Sequence, residues 1–241
     1  MEPTAPSLPG RAVISQRWSS ACFVHWRVDP ALVAPLLPAG TRPDEFDGSA
    51  WIGLVPFVLS EFRFLPLRPV PLVGSFVEIN VRTYAVDADG RRGVVFRTLE
   101  AEHLLPVLGA RALFGLPYRW ARATREVDGD AVSFASRRHG RSRRSTALRV
   151  TVGTEPVDTP LSRFLTARWG FHERHLGRTI WAANEHEPWP LHDAQLDALD
   201  DDLVAEAGFP GLAERAPDSV LAMPPRHPGF VTRFSASRAI G

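Results

Sequence analysis

Ten consecutive residues, Phe76 to Ala85, read Phe-Val-Glu-Ile-Asn-Val-Arg-Thr-Tyr-Ala. Polar and apolar side chains alternate with a period of two, the repeat of an extended strand and not of a helix. One face carries Glu78, Asn80, Arg82 and Tyr84, and the other carries Val77, Ile79, Val81 and Thr83. Two readings fit this pattern. Either the polar face meets water, as in a half-exposed antiparallel sheet, or it lines a cavity. An acid, an amide, a guanidinium and a phenol in one row, in a chain with only two tyrosines, argue for the cavity.

The composition bounds what such a strand can belong to. A chain of 241 residues buries roughly 70% of its unfolded surface, enough for one core, so a single domain over 1–241 with a loose N-terminus at 1–12 is expected. A net charge of +1 implies no nucleic-acid or membrane partner. The single cysteine, Cys22, excludes an intramolecular disulfide and suits a reducing compartment. There is no apolar run of membrane-spanning length, and Met1–Gly10 lacks the order of a signal peptide, so the cytoplasm is the expected location. All 28 basic residues are arginine. An imine with a carbonyl substrate needs a primary amine, which leaves only the N-terminus for that chemistry.

The 22 prolines are spread along the chain, which favours a loop-rich, mostly β domain of α+β type. Strands are expected at Ala21–Val28, Trp51–Leu59, Phe76–Ala85, Gly93–Glu100, Tyr118–Val127, Ala131–Arg138, Thr146–Val152, Trp169–Glu173 and Thr179–Asn184. Asp29-Pro30 opens a short helix through Leu37, and further short helices are expected at Leu105–Phe114 and Pro160–Ala167. The longest helix is expected at Asp193–Ala207, where Leu196, Leu199, Leu203 and Ala207 form a stripe.

A set of phrases carries a family resemblance. They include Phe23-Val-His-Trp26, Leu36-Leu-Pro-Ala-Gly40, Phe46-Asp-Gly-Ser-Ala-Trp51, Glu78-Ile-Asn-Val-Arg-Thr-Tyr84, Leu116-Pro-Tyr118 and His186-Glu-Pro-Trp-Pro-Leu191. In this order they resemble the YqjF-like family, a domain of unknown function within the acetoacetate decarboxylase-like superfamily. The resemblance implies an antiparallel β-barrel or cone with a central cavity, a few peripheral helices, and assembly into homo-oligomers. In the decarboxylase branch a Gly-x-Pro-Lys-Lys segment supplies an imine-forming lysine, assisted by a glutamate. Here Gly115-Leu-Pro-Tyr-Arg119 stands in that place and Glu78 matches the glutamate. The nucleophile is therefore missing.

The residues themselves suggest roles. Arg82 is the expected anchor for an anion, since a guanidinium stays charged and forks onto carboxylates. The resemblance, which sets Tyr118 in the lysine's place and Glu78 in the glutamate's, makes these two the expected proton-handling pair, with Asn80, Arg119, Tyr84 and His25 as further substrate-binding candidates. Tyr118 and Arg119, being adjacent on a strand, should face opposite sides. Glu100 and Glu102 on the next strand are alternative partners for Arg82, which would make the row a structural network. His172, His175, His186 and His192 lack the spacing of a metal site, so neither metal nor cofactor is expected. The basic turn Arg137–Arg144 reads as a solvated loop, and Trp169, Trp181 and Trp189 as barrel seals. The expected function is binding of a small carboxylate or carbonyl compound, with acid/base lyase or hydratase chemistry and no imine. The alternative is a non-enzymatic barrel.

Overall fold

The computed structural model describes residues 2–68, 75–103, 111–112 and 114–240. The helix expected at Leu105–Phe114 lies mostly outside these residues. Among the described residues, fifteen strands join in one sheet. They are β1 (Ala12–Ser19), β2 (Cys22–Val28), β3 (Thr41–Pro43), β4 (Ala50–Phe64), β5 (Phe76–Asp87), β6 (Arg92–Ala101), β7 (Tyr118–Asp128), β8 (Ala131–Arg138), β9 (Ser145–Pro156), β10 (Gly170–His175), β11 (Arg178–Glu185), β12 (His192–Asp201), β13 (Ser219–Ala222), β14 (Phe230–Ser235) and β15 (Arg238–Ile240).

The sheet closes on itself twice. Strands β4, β5 and β6 form a three-stranded antiparallel wall common to both closures. On one side the pairings run β4–β1–β14–β11–β10–β6, completing a circuit of seven strands. On the other they run β6–β7–β8–β9–β12–β13–β2–β4, completing a circuit of nine. The mostly β, barrel-like architecture expected from the sequence is present, in a doubled form.

The two compartments differ in filling. Val24, Trp26, Leu54, Phe134, Leu148 and Val150 fill the nine-stranded side. The odd-numbered residues of β5, Val77, Ile79 and Val81, join that core. Its even-numbered residues face the seven-stranded side, where Glu78 and Arg82 line a hollow. Every residue of β5 is buried, so neither face of the ribbon meets bulk water.

A β-bulge in β6 shapes the hollow. The register passes from Val81 opposite Thr98 to Arg82 opposite Phe96, leaving Arg97 as the extra residue. Such an insertion resets the alternation. Leu99 and Phe96, three positions apart, therefore both line the cavity. Arg97 turns away and donates to the Leu36 carbonyl at 2.9 Å.

The expectation of a helix over Asp193–Ala207 is wrong for most of its length. Residues His192–Asp201 form β12, and the helix is only Leu203–Glu206. A bulge between Leu196 and Ala198 on β12 places Leu196 opposite Val150 and Leu199 opposite Leu148. Both leucines thus pack on one core with the i, i+3 spacing that a helix would also produce. The other short helices follow their sequence signals. The Asp29 carboxylate accepts from the Ala31 N–H ahead of Pro30–Val33. Thr159 and Ser162 form a reciprocal capping box at the start of Pro160–Thr166.

Candidate functional site

Building the site starts with Gly53, the β4 residue that pairs with His25 on one side and Arg82 on the other. A Cβ at position 53 would stand 2.7 Å from His25 Nε2, so only glycine lets the imidazole lean across β4. The ring reaches the Tyr84 hydroxyl at 2.6 Å, and that hydroxyl donates to the Leu165 carbonyl at 2.8 Å. With its own proton committed to Leu165, Tyr84 must accept from His25 Nε2–H. Burial, with Arg82 nearby, holds His25 well below the ordinary histidine range and so neutral. His25 and Tyr84 form a closed chain behind the cavity and do not line it.

The cavity itself has a volume of about 330 Å³. Tyr118, at the first position of β7, lies opposite Leu99 and donates to Glu78 Oε2 at 2.7 Å. Burial raises the Glu78 carboxyl to about 7, although the Tyr118 bond and the Arg82 charge pull the other way. Asn80 stands close enough to favour the Glu78 anion, but neither end of its buried amide reaches hydrogen-bonding geometry. Burial and the adjacent carboxylate hold the Tyr118 phenol well above the ordinary range, so it remains a donor. Arg119 is exposed, on the opposite side of the strand from Tyr118 and outside the cavity.

Arg82 is only 5% exposed. Its Nε has no hydrogen-bond partner, and no carboxylate among the described residues pairs with its guanidinium. The residues outside the described ones contain no aspartate or glutamate. The carboxylates expected as partners are engaged elsewhere. Glu100 accepts from Arg138 and Thr98 on the far side of the wall, and Glu102 accepts from the Val77 N–H. Strand alternation is the reason, because Glu100 pairs with Ile79 and shares the face of the filled core. The basic turn therefore does more than meet solvent. Arg138 is buried and bridges Glu100 and Glu206.

Arg168, Asn184 and His186 are among the polar residues of the cavity that sequence reasoning did not single out as its members. Arg168 is buried and bound to Asp44, with its Nη2 lacking a partner. Burial would raise the Asp44 carboxyl, but the bonds from Arg92 and Arg168 outweigh this and hold it below the ordinary range. Asn184 carries a buried, unpartnered Oδ1. His186 lies between Trp169 and Trp189, with ring centroids at 4.7 and 4.4 Å. Its Nδ1–H donates to the Glu187 carbonyl at 2.6 Å, and burial lowers its pKa to about 4. The neutral ring therefore keeps Nε2 as an acceptor. The phrase His186-Glu-Pro-Trp-Pro-Leu191 was the available signal, since it places the histidine beside a tryptophan. Of the three tryptophans expected as seals, Trp189 lines the cavity, Trp169 packs on His186, and Trp181 fills the space over Gly93 and Gly170.

Residues lining the cavity thus carry several buried polar atoms without partners: Arg82 Nε, Arg168 Nη2, Asn184 Oδ1 and Trp18 Nε1. Unsatisfied polar groups are costly in a dry interior. No group of three or more His, Cys, Asp or Glu able to hold a metal occurs among the described residues. No helix among them is long and apolar enough to cross a membrane.

Comparison with known proteins agrees with this architecture. The family model DUF2071, described as uncharacterized conserved protein (COG2071), matches residues 15–226. The uncharacterized protein YqjF of Bacillus subtilis (strain 168) is 32% identical over 192 residues, 77% of each chain. Among solved structures, the acetoacetate decarboxylase of Legionella pneumophila superposes with a TM-score of 0.67 at 12% identity, covering 98% of this chain and 90% of that one. The enduracididine biosynthesis enzyme MppR complexed with pyruvate superposes with a TM-score of 0.62 at 17% identity, covering 100% and 99%.

Proposed function

From the premise that this chain belongs to the DUF2071 family and has an acetoacetate decarboxylase-like fold, we propose that its cavity binds a small oxo acid and exchanges a proton with it. The carrying observation is Arg82, a buried guanidinium that faces the hollow without a counter-ion. A carboxylate there would form the bidentate, charge-assisted pair that no protein group supplies. The pyruvate complex of the MppR neighbour is consistent with a ligand of this class.

Glu78 and Tyr118 would handle the proton. A carboxyl titrating near neutrality is well matched to general acid/base work. Glu78 would take a proton from the carbon beside the ligand carbonyl, the electron pair would move to the carbonyl oxygen, and the enol or enolate would be stabilised by surrounding donors. Without lysine the step proceeds by acid/base and electrostatic means, with no side-chain imine. Within this reading the chain acts as a single cytoplasmic domain. The buried, free thiol of Cys22 is in keeping with a reducing compartment.

The test is deuterium incorporation into pyruvate in heavy water, followed by proton NMR, alongside binding by calorimetry. Wild type should bind and exchange. Arg82→Met should lose binding, and Glu78→Gln should keep binding but lose exchange. Equal binding by wild type and Arg82→Met would overturn the anchor. Arg82-dependent binding with no exchange would leave a non-enzymatic metabolite-binding protein.

A further inference from the structure

The walls of the cavity say more about the ligand than its charged end does. Among the described residues, nine phenylalanine and tryptophan side chains line it, contributed from several directions. Trp18 comes from β1, Phe76 from β5, Phe96 from β6, Phe171 from β10 and Phe234 from β14, and Trp189 closes the side near His186. Phe171 already meets Phe96, Phe114 and Phe234 edge to face, at centroid distances of 5.8, 6.0 and 6.4 Å. Trp18 stacks on Phe57 at 4.1 Å. Rings so arranged offer both faces and edges to a planar guest.

Volume and charge narrow the choice. A hollow of about 330 Å³ matches the liquid volume of roughly ten water molecules, so an acid of three or four carbons would leave much of it empty. Arg168 shares the Asp44 carboxylate with Arg92, and the neutral forms of His186 and Tyr118 add no charge. Arg82 remains the one lining cation without a carboxylate partner among the described residues, and a second anionic group on the ligand would be left among hydrocarbon rings.

Resting on the oxo-acid reading above, we infer that the preferred ligand is a monocarboxylate bearing an aromatic body, its carboxylate on Arg82 and its ring among the phenylalanines and tryptophans. Trp18 and Trp189 line the cavity, so ligand binding should change their fluorescence.

The experiment is a fluorescence titration of the full chain with phenylpyruvate, pyruvate, 2-oxooctanoate and 2-oxoglutarate, repeated by calorimetry. Phenylpyruvate should bind at least about tenfold more tightly than pyruvate, from burial of its ring. It should also exceed the flexible alkyl acid by about twofold or more. The dianion 2-oxoglutarate should bind most weakly. Pyruvate, 2-oxooctanoate or 2-oxoglutarate equalling phenylpyruvate, with all binding lost in Arg82→Met, would overturn the aromatic class and leave the oxo-acid reading standing. Binding of all four acids unchanged in Arg82→Met, or of none to wild type, would overturn both.

Discussion

Arg82 and Arg138 are buried to nearly the same degree, 5% and 8% exposed, yet their environments are opposite. Arg138 is held by Glu100, Glu206 and Thr98, whereas the Arg82 guanidinium pairs with no carboxylate among the described residues. The first belongs to the architecture, and the second has no carboxylate partner among the described residues. Replacing Arg82 by methionine removes an uncompensated buried charge and should stabilise the protein by about 1–4 kcal/mol while abolishing anion binding. Arg138→Met leaves Glu100 buried without its partner and should destabilise by about 3–5 kcal/mol. Urea melts of the two variants at neutral pH provide the comparison, and a destabilised Arg82→Met would contradict the assignment.

Glu78 makes stability fall with rising pH. Its carboxyl titrates at about 7 in the fold against 4.5 as the ordinary value, so between these limits the native state holds a proton that the unfolded chain has lost. Stability contributed by this group is complete below pH 4.5, declines as pH rises toward 7, and is lost above it, by on the order of 3 kcal/mol. In Glu78→Gln that slope should be absent. The difference between the two unfolding curves as a function of pH isolates the effect from Glu173, which burial raises to about 8 and which acts with the same sign.

His186 gives the opposite slope. Its folded value of about 4 lies below the ordinary 6.5, so acidification through that window protonates the unfolded chain first. Stability present above pH 6.5 should fall as pH drops toward 4. Nitrogen NMR should find His186 neutral, protonated at Nδ1 and with a bare Nε2, throughout pH 5–8. An imidazolium signal at pH 6 would contradict this.

Gly53→Ala should force His25 away from Tyr84 and cost about 1–3 kcal/mol, a typical penalty for overpacking. Because the clash is with the imidazole, the same substitution in a His25→Ala background should cost far less. Thermal melts of the four members of this cycle test the coupling, and strict additivity would show that the ring is not what excludes a Cβ.

Strand after strand was legible where alternation ran unbroken, as in Phe76–Ala85 and Ala131–Arg138. It failed over His192–Asp201, where a bulge shifted the phase. Leu196 and Leu199 mimic a helical stripe because Asp197 is an inserted residue, and the same device at Arg97 puts Phe96 and Leu99 side by side. Period counting cannot separate a bulged strand from a helix turn, since both bring residues three apart onto one face. At the candidate site, strand spacing placed Glu78 and Arg82 on one side. The meeting of Tyr118 with Glu78 was suggested only by resemblance, as it depends on the parallel pairing of β6 and β7. Arg168 could not be assigned from local pattern, and His186 only through its neighbouring tryptophan, because long-range closure brings them to the hollow.

The partition formed by β4, β5 and β6 has a consequence for how this protein can change. Along β5 the alternate letters answer to different masters: Val77, Ile79 and Val81 must fit a crowded interior, while Phe76, Glu78 and Arg82 meet an unfilled chamber. Substitutions at the latter reshape the chamber while leaving the packing of the crowded interior in place. A single ribbon thereby separates the packing of the scaffold from the shape of its chamber.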